Sequence, residues 1–226
     1  EDAGVFTDDV LAAYEVVVFL STTGNVLNET QQAAFERYIV AGGGFVGIHA
    51  AADTEYDWDF YGDLVGAYFQ QHPHIQQATV KVADTVHPSM AHLPKRWART
   101  DEWYDYRDLY PLKKDLLMLD ESTYIGGLHG EYHPIAWYHD YDGGRAFYTG
   151  LGHTDEAYQD PANRRPFFPG SFADFAQPAR SRAEHRYHGD WDVESVKLVL
   201  DNGFEDMRRD ELFRMIQSRR NVVSEI

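Results

Sequence analysis

Val16-Val17-Val18-Phe19-Leu20 is an unbroken apolar run, the pattern of a strand covered on both faces. Asn28 with Gln31 three residues on predicts a helix N-cap with its capping-box partner. Ala34, Phe35, Tyr38 and Ile39 then mark a buried helical stripe, and Gly42 ends it. Phe45 to Ile48 is a second short apolar run. Strand, helix, strand in this order predicts a right-handed βαβ unit with the two strands adjacent and parallel. A helix is expected from about Asp57 to Phe69, and a half-exposed strand over Ala78, Val80 and Val82. A loop-rich stretch with His87-Pro88 and Asp101-Glu102-Trp103-Tyr104 follows, then a short strand from Leu116 to Leu119. Ile135–Tyr138 and Ala146–Thr149 flank Asp142-Gly143-Gly144, a strong hairpin signal.

From Pro161 the pattern changes. Residues 161–189 lose periodicity and predict a poorly packed linker. Asp192 can cap a short helix ending near Asn202-Gly203, and Leu212, Met215 and Ile216 stripe a second from about Asp206 to Arg220. The charge divides at the same place. Of a net −17, residues 1–160 carry 9 Lys+Arg against 26 Asp+Glu, and the remainder 11 against 11. The expected organisation is therefore a domain over 1–160 and an atypical tail over 161–226, a loop followed by one or two helices resting on the outside.

The acidic balance argues against nucleic acid and anionic membranes as partners. With no cysteine the chain has no disulfide, thiolate metal site or cysteine nucleophile. No apolar run is long enough to span a bilayer, and no signal peptide is visible. A soluble protein is expected, with the cytoplasm favoured over the periplasm or secretion and a homo-oligomer compatible with the chain. Because it starts at Glu1, an N-terminal portion is expected to be absent.

The chemistry centres on His49. It follows the Phe45–Ile48 run and precedes Ala50-Ala51-Ala52, so it sits where a sheet of this type presents a side chain at its C-terminal edge. Nucleophile elbows use the same turn, with Ser or Cys where this chain has His. His153 has a matching context, after Ala146–Thr149 and Gly150-Leu151-Gly152. Glu102 can add a carboxylate and Tyr104 a phenol. Two imidazoles and a carboxylate suit either general acid–base work or a divalent ion such as zinc, with His49 and His153 as ligands. No HExxH or G-x-S-x-G motif supports a tighter assignment.

Several segments in order carry a resemblance: Gly43-Gly44-Phe45-Val46-Gly47-Ile48-His49-Ala50-Ala51, Trp58-x-x-Tyr61-Gly62-x-Leu64-Val65-Gly66-Ala67, His72-Pro73, Asp101–Tyr104, His133-Pro134-Ile135-Ala136-Trp137 and Gly144–Thr154. Together they resemble the ThuA-like (trehalose utilisation) family over about 1–160. That resemblance implies a flavodoxin-like three-layer α/β sandwich of the class I glutamine amidotransferase-like type, with a mostly parallel central sheet. The amidotransferase cysteine is His49 here, so amidotransferase activity is not implied. It further implies a family N-terminal strand and a His-bearing loop missing from this chain, and a last helix soon after Asp160 that the tail replaces.

The resemblance points to carbohydrate catabolism with a disaccharide or oxidised (keto) sugar as the small-molecule partner. The expected enzyme is a hydrolase, lyase or isomerase with His49, His153 and Glu102 as catalytic residues. Trp58, Trp103, Tyr104, His133 and Trp137 are expected to bind substrate. A non-catalytic carbohydrate-binding or accessory domain, or an inactive fragment, is the alternative.

Overall fold

A computed structural model of the protein describes residues 3–87, 89–90, 93–154 and 196–200. The chain forms α1 (Asp8–Leu11), β1 (Val16–Leu20), α2 (Glu29–Val40), β2 (Gly44–Ile48), α3 (Asp59–Val65), β3 (Tyr68–Gln71) and β4 (Gln76–Val82). Then come β5 (Arg96–Asp101), β6 (Asp105–Arg107), β7 (Lys114–Asp120), β8 (Pro134–Tyr141), β9 (Gly144–Thr149) and β10 (Val196–Leu200). Strands order as β10-β1-β2-β9-β8-β7-β4-β5 in one sheet, and β3 pairs with β6 apart from it. The α/β class holds, and the sheet is mixed. It is parallel through β10, β1, β2 and β9, and antiparallel from β9 to β5.

The βαβ unit forms as its pattern demands. β1 and β2 are fully buried and pair in parallel, Val17 opposite Phe45 and Leu20 opposite Ile48. The capping box starts α2, with Gln31 N–H donating to Asn28 Oδ1 at 3.1 Å and Asn28 N–H to Gln31 Oε1 at 2.8 Å. The buried residues of α2 are the four of the stripe. α2 and α3 pack on the face that carries Phe19 and Phe45. Phe35 lies 5.6 Å from Phe19, and Tyr61 5.4 Å from Phe19 and 5.7 Å from Phe45, ring centre to ring centre.

Three expectations are corrected. The helix predicted to run to Phe69 ends at Val65, because Gly66 takes φ +90°, and a Cβ there would lie 2.4 Å from the Trp137 indole nitrogen. Tyr68 and Phe69 instead extend as β3 opposite Arg107 and Tyr106. The stretch read as loop contains β5 and β6. The buried positions of β5 are Arg99 and Asp101, an ion pair at 3.0 Å with side chains 1% and 0% exposed, so hydropathy hides the strand. The helix expected between Asp192 and Gly203 is replaced over its middle by β10. Its β-branched and leucine residues run parallel to β1, Val16 opposite Val196, and satisfy the backbone groups of that edge. The expected linker over 161–189 and helix over 206–220 lie outside the described residues.

Candidate functional site

β2 and β9 are neighbours running the same way, Ile48 opposite Thr149. Their C-terminal ends therefore share an edge. His49 is the first residue beyond β2 and begins a short 3-10 turn through Asp53. Its φ of +50° is left-handed, a strained setting for a residue with a side chain. The Tyr148 hydroxyl holds that turn by donating to the His49 carbonyl at 2.7 Å. Room for the Tyr148 ring comes from Gly47, where a Cβ would stand 3.1 Å from it.

The ring of His49 is buried and oriented at both nitrogens. Nδ1 lies 2.9 Å from the Gly150 carbonyl, which can only accept, so Nδ1 carries the hydrogen. Nε2 then lies 3.2 Å from Glu102 Oε2 and 3.1 Å from His153 Nδ1. His153 Nδ1 is 3.2 Å from the same Glu102 oxygen. Three donor atoms thus form a near-equilateral triangle.

Glu102 reaches this point from the far end of the sheet. It follows β5, four strands beyond β9, a separation of roughly 19 Å in a flat sheet. Curl of the sheet and the loop after β9 close the gap. The Asp101 carboxylate clamps the join, accepting from Gly152 N–H and His153 N–H, each at 3.0 Å, while Arg99 Nε donates to it. At the rim, His72 Nδ1 lies 3.3 Å from Glu102 Oε1 and 2.8 Å from the Pro73 carbonyl. Tyr104 lies 4.3 Å from the His49 ring and Phe69 4.3 Å from Tyr104, so the two make an aromatic wall.

Burial pushes the Glu102 carboxyl up, but the imidazoles of His49, His153 and His72 outweigh it and hold it below the ordinary value. Burial, then the His49 ring, pushes His153 below the ordinary imidazole value against the pull of Glu102 and Asp101. Burial and the Glu102 charge push the Tyr104 phenol well up. At neutral pH the site therefore offers an ionised carboxylate, an uncharged His153 and a protonated phenol.

A second cluster of similar composition, Asp105, His129 and His133, lies behind the first. His133 contacts the Tyr104 carbonyl through Nε2 at 2.9 Å and Glu121 through Nδ1 at 2.6 Å. His129 Nε2 accepts from Tyr106 N–H at 2.9 Å. Asp105 accepts from Leu128 N–H at 2.9 Å and from the Gln71 amide at 2.8 Å.

The structure brings His49, His153 and Glu102 together, with Tyr104 against them. It does not bring the other predicted substrate residues there. Trp103 and Trp137 are fully buried and donate to the carbonyls of Gln76 and Val65, so neither offers a face to a sugar. His133 is also fully buried, within the second cluster. Trp58 packs across α2, donating to Glu36 and stacking near Phe60 and Tyr61. Aromatic count alone could not separate a core ring from a cleft ring. Sequence reasoning passed over His72 and Phe69 as site residues and named Asp101 only beside Glu102. For His72 the His72-Pro73 pair was the available signal.

A family described as ThuA, trehalose utilisation, matches residues 1–170. Among solved structures, the chain is 25% identical to a ThuA-like protein from Bacteroides uniformis. The TM-score is 0.62, over 73% of this chain and 71% of that one. A ThuA-like protein from Parabacteroides merdae is 22% identical with a TM-score of 0.65, over 81% and 77%, and shows the same fold. No curated protein matches the chain significantly.

Proposed function

The chain belongs to the ThuA family, with a role in trehalose utilisation and so in carbohydrate metabolism, and we propose that it is an enzyme acting on an oxidised (keto) disaccharide or sugar at the His49–Glu102–His153 cleft. The observation that carries this reading is the triangle of His49 Nε2, Glu102 Oε2 and His153 Nδ1, with sides of 3.1 to 3.2 Å, at a strand edge. Desolvating such groups is costly, and they cluster where chemistry needs them.

A carbonyl in a sugar acidifies the C–H bonds beside it. Glu102, ionised and oriented by His72, is suited to take such a proton. The Tyr104 phenol is suited to donate to a developing oxyanion, and its ring with Phe69 supplies an apolar face for the sugar. Proton transfer beside a carbonyl underlies elimination and isomerisation alike, and the same acid–base set serves hydrolysis.

The test is a panel of disaccharides and their keto forms incubated with the purified chain and followed by NMR. Consumption of at least one keto sugar is expected, with turnover falling about a thousandfold in Glu102→Gln. A sugar bound but never converted, by wild type as by variant, would replace this reading with that of a carbohydrate-binding accessory domain.

A further inference from the structure

The two clusters differ in what their ring nitrogens and carboxylate oxygens are left to do. In the Asp105 cluster five of these atoms have a protein partner. His129 Nε2 takes the Tyr106 N–H, His133 is bonded at both nitrogens, and both Asp105 oxygens accept hydrogens. In the His49 cluster the three inward atoms, His49 Nε2, Glu102 Oε2 and His153 Nδ1, are partners of one another. Gly150 holds a hydrogen of His49 on Nδ1 and turns Nε2 inward. That is the arrangement by which a metal-ligating histidine is oriented, its second nitrogen donating to a backbone carbonyl. Glu102 Oε1 is engaged by His72, so the carboxylate presents Oε2 alone. His72 Nδ1 faces two oxygens, Glu102 Oε1 and the Pro73 carbonyl, and therefore carries a hydrogen rather than a lone pair.

The spacing is also that of ligands. Donors about 2.0–2.1 Å from an ion lie about 3.3–3.4 Å apart in a tetrahedron and about 2.9–3.0 Å apart when adjacent in an octahedron. The three sides here are 3.1, 3.2 and 3.2 Å. We infer that His49 Nε2, His153 Nδ1 and Glu102 Oε2 bind one divalent metal ion, zinc being the ion their chemistry favours, with the remaining coordination positions open toward the sugar. An α-hydroxyketone is a bidentate oxygen ligand, so the carbonyl and neighbouring hydroxyl of a keto sugar suit those positions. This substrate assignment rests on the catalytic reading given above, with a water on the ion as the base once Glu102 serves as a ligand; the metal assignment rests on the donor geometry. His72 and Asp101 act as positioning residues, one fixing the carboxylate and the other the loop that bears His153.

The full-length chain is stripped with a chelator and titrated calorimetrically with Zn²⁺, and separately with Co²⁺, whose visible spectrum reports coordination. One ion per chain is expected. His153→Gln and Glu102→Gln should each weaken binding about a hundredfold, and His74→Ala, at an exposed histidine two residues past His72, should leave it unchanged. His153 is 40% exposed, so its variant keeps the fold, checked by circular dichroism. Absence of binding, or equal affinity in His153→Gln, would mean that the three atoms share a proton instead, and overturns the inference. Keto-sugar turnover measured alongside separates the two readings. A chain that binds zinc but converts no sugar upholds the metal and removes the catalytic reading, whereas turnover by a chain that binds no zinc removes the metal and keeps that reading.

Discussion

The His49 cluster and the Asp105 cluster each bring two histidines and a carboxylate within 4.8 Å of one another. One lies at a strand edge with a partly exposed His153, and the other on the far side of Tyr104 with a partly exposed His129. Their compositions match, and their hydrogen bonds do not. Asp105, His129, His133 and Glu121 are paired to backbone and to one another, so they tie residues 121–133 onto β6. His49 Nε2, Glu102 Oε2 and His153 Nδ1 instead face one another around a common centre. A buried polar network tied to the backbone specifies structure, while one whose inward atoms have only one another lets an ion take the place of a shared proton. Proximity of metal-type residues thus says little until each lone pair is followed to its partner.

If that contrast is right, the two clusters respond to substitution in opposite ways. The largest effect on stability is expected from His133→Ala. It strips the Glu121 carboxylate and the Tyr104 carbonyl of their partner and should cost about 3 kcal/mol by urea unfolding. Zinc affinity of the folded fraction should stay within a factor of a few of wild type. Loss of zinc binding with little loss of stability would interchange the roles assigned to the clusters.

A pH titration sharpens the same comparison with a histidine that has no carboxylate. His139 in β8 is held at about 4, below the usual 6.5, chiefly by burial, with its Nε2 against the Asp63 carbonyl. The unfolded chain takes up a proton near 6.5 that the folded chain refuses until about 4, so stability falls as pH drops through that window. The loss should be on the order of 3 kcal/mol. His139→Gln retains a donor and should flatten the curve there. An unflattened curve would assign the acid limb to the carboxylate clusters.

The smallest effect falls on the cleft. His72→Ala, at the exposed rim, should weaken zinc binding about tenfold and leave stability within about 0.5 kcal/mol. A change in unfolding free energy with unaltered zinc affinity would make His72 a structural residue like His133.

The parallel half of the fold was legible because there each signal had one reading. Val16–Leu20 and Phe45–Ile48 are apolar throughout, and the Asn28–Gln31 pair has one geometry. Strand-edge logic also brought His49 and His153 to one crevice. The antiparallel half was less legible. β5 buries an arginine and an aspartate, and β3 looked like the end of a helix until Gly66 met Trp137. Within the site, Glu102 stands out in sequence only as an acid beside aromatics. Its place depends on curl over several strands, which no local pattern records. Trp103 and Trp137 misled because an indole satisfied by a backbone carbonyl disappears into a core as readily as a phenylalanine.

The pairing of β2 with β9 makes the sheet a ruler graduated in single residues. His49 stands one graduation past Ile48, and His153 four past its opposite, Thr149. Sliding one strand by a single mark would carry one imidazole about 3.3 Å along and turn alternate side chains to the opposite face. No half-measure exists between an assembled triangle and none. Occupancy of the site therefore doubles as a yes-or-no gauge of strand alignment, and a bound cobalt ion would colour only those molecules in which the two strands have met in their native alignment.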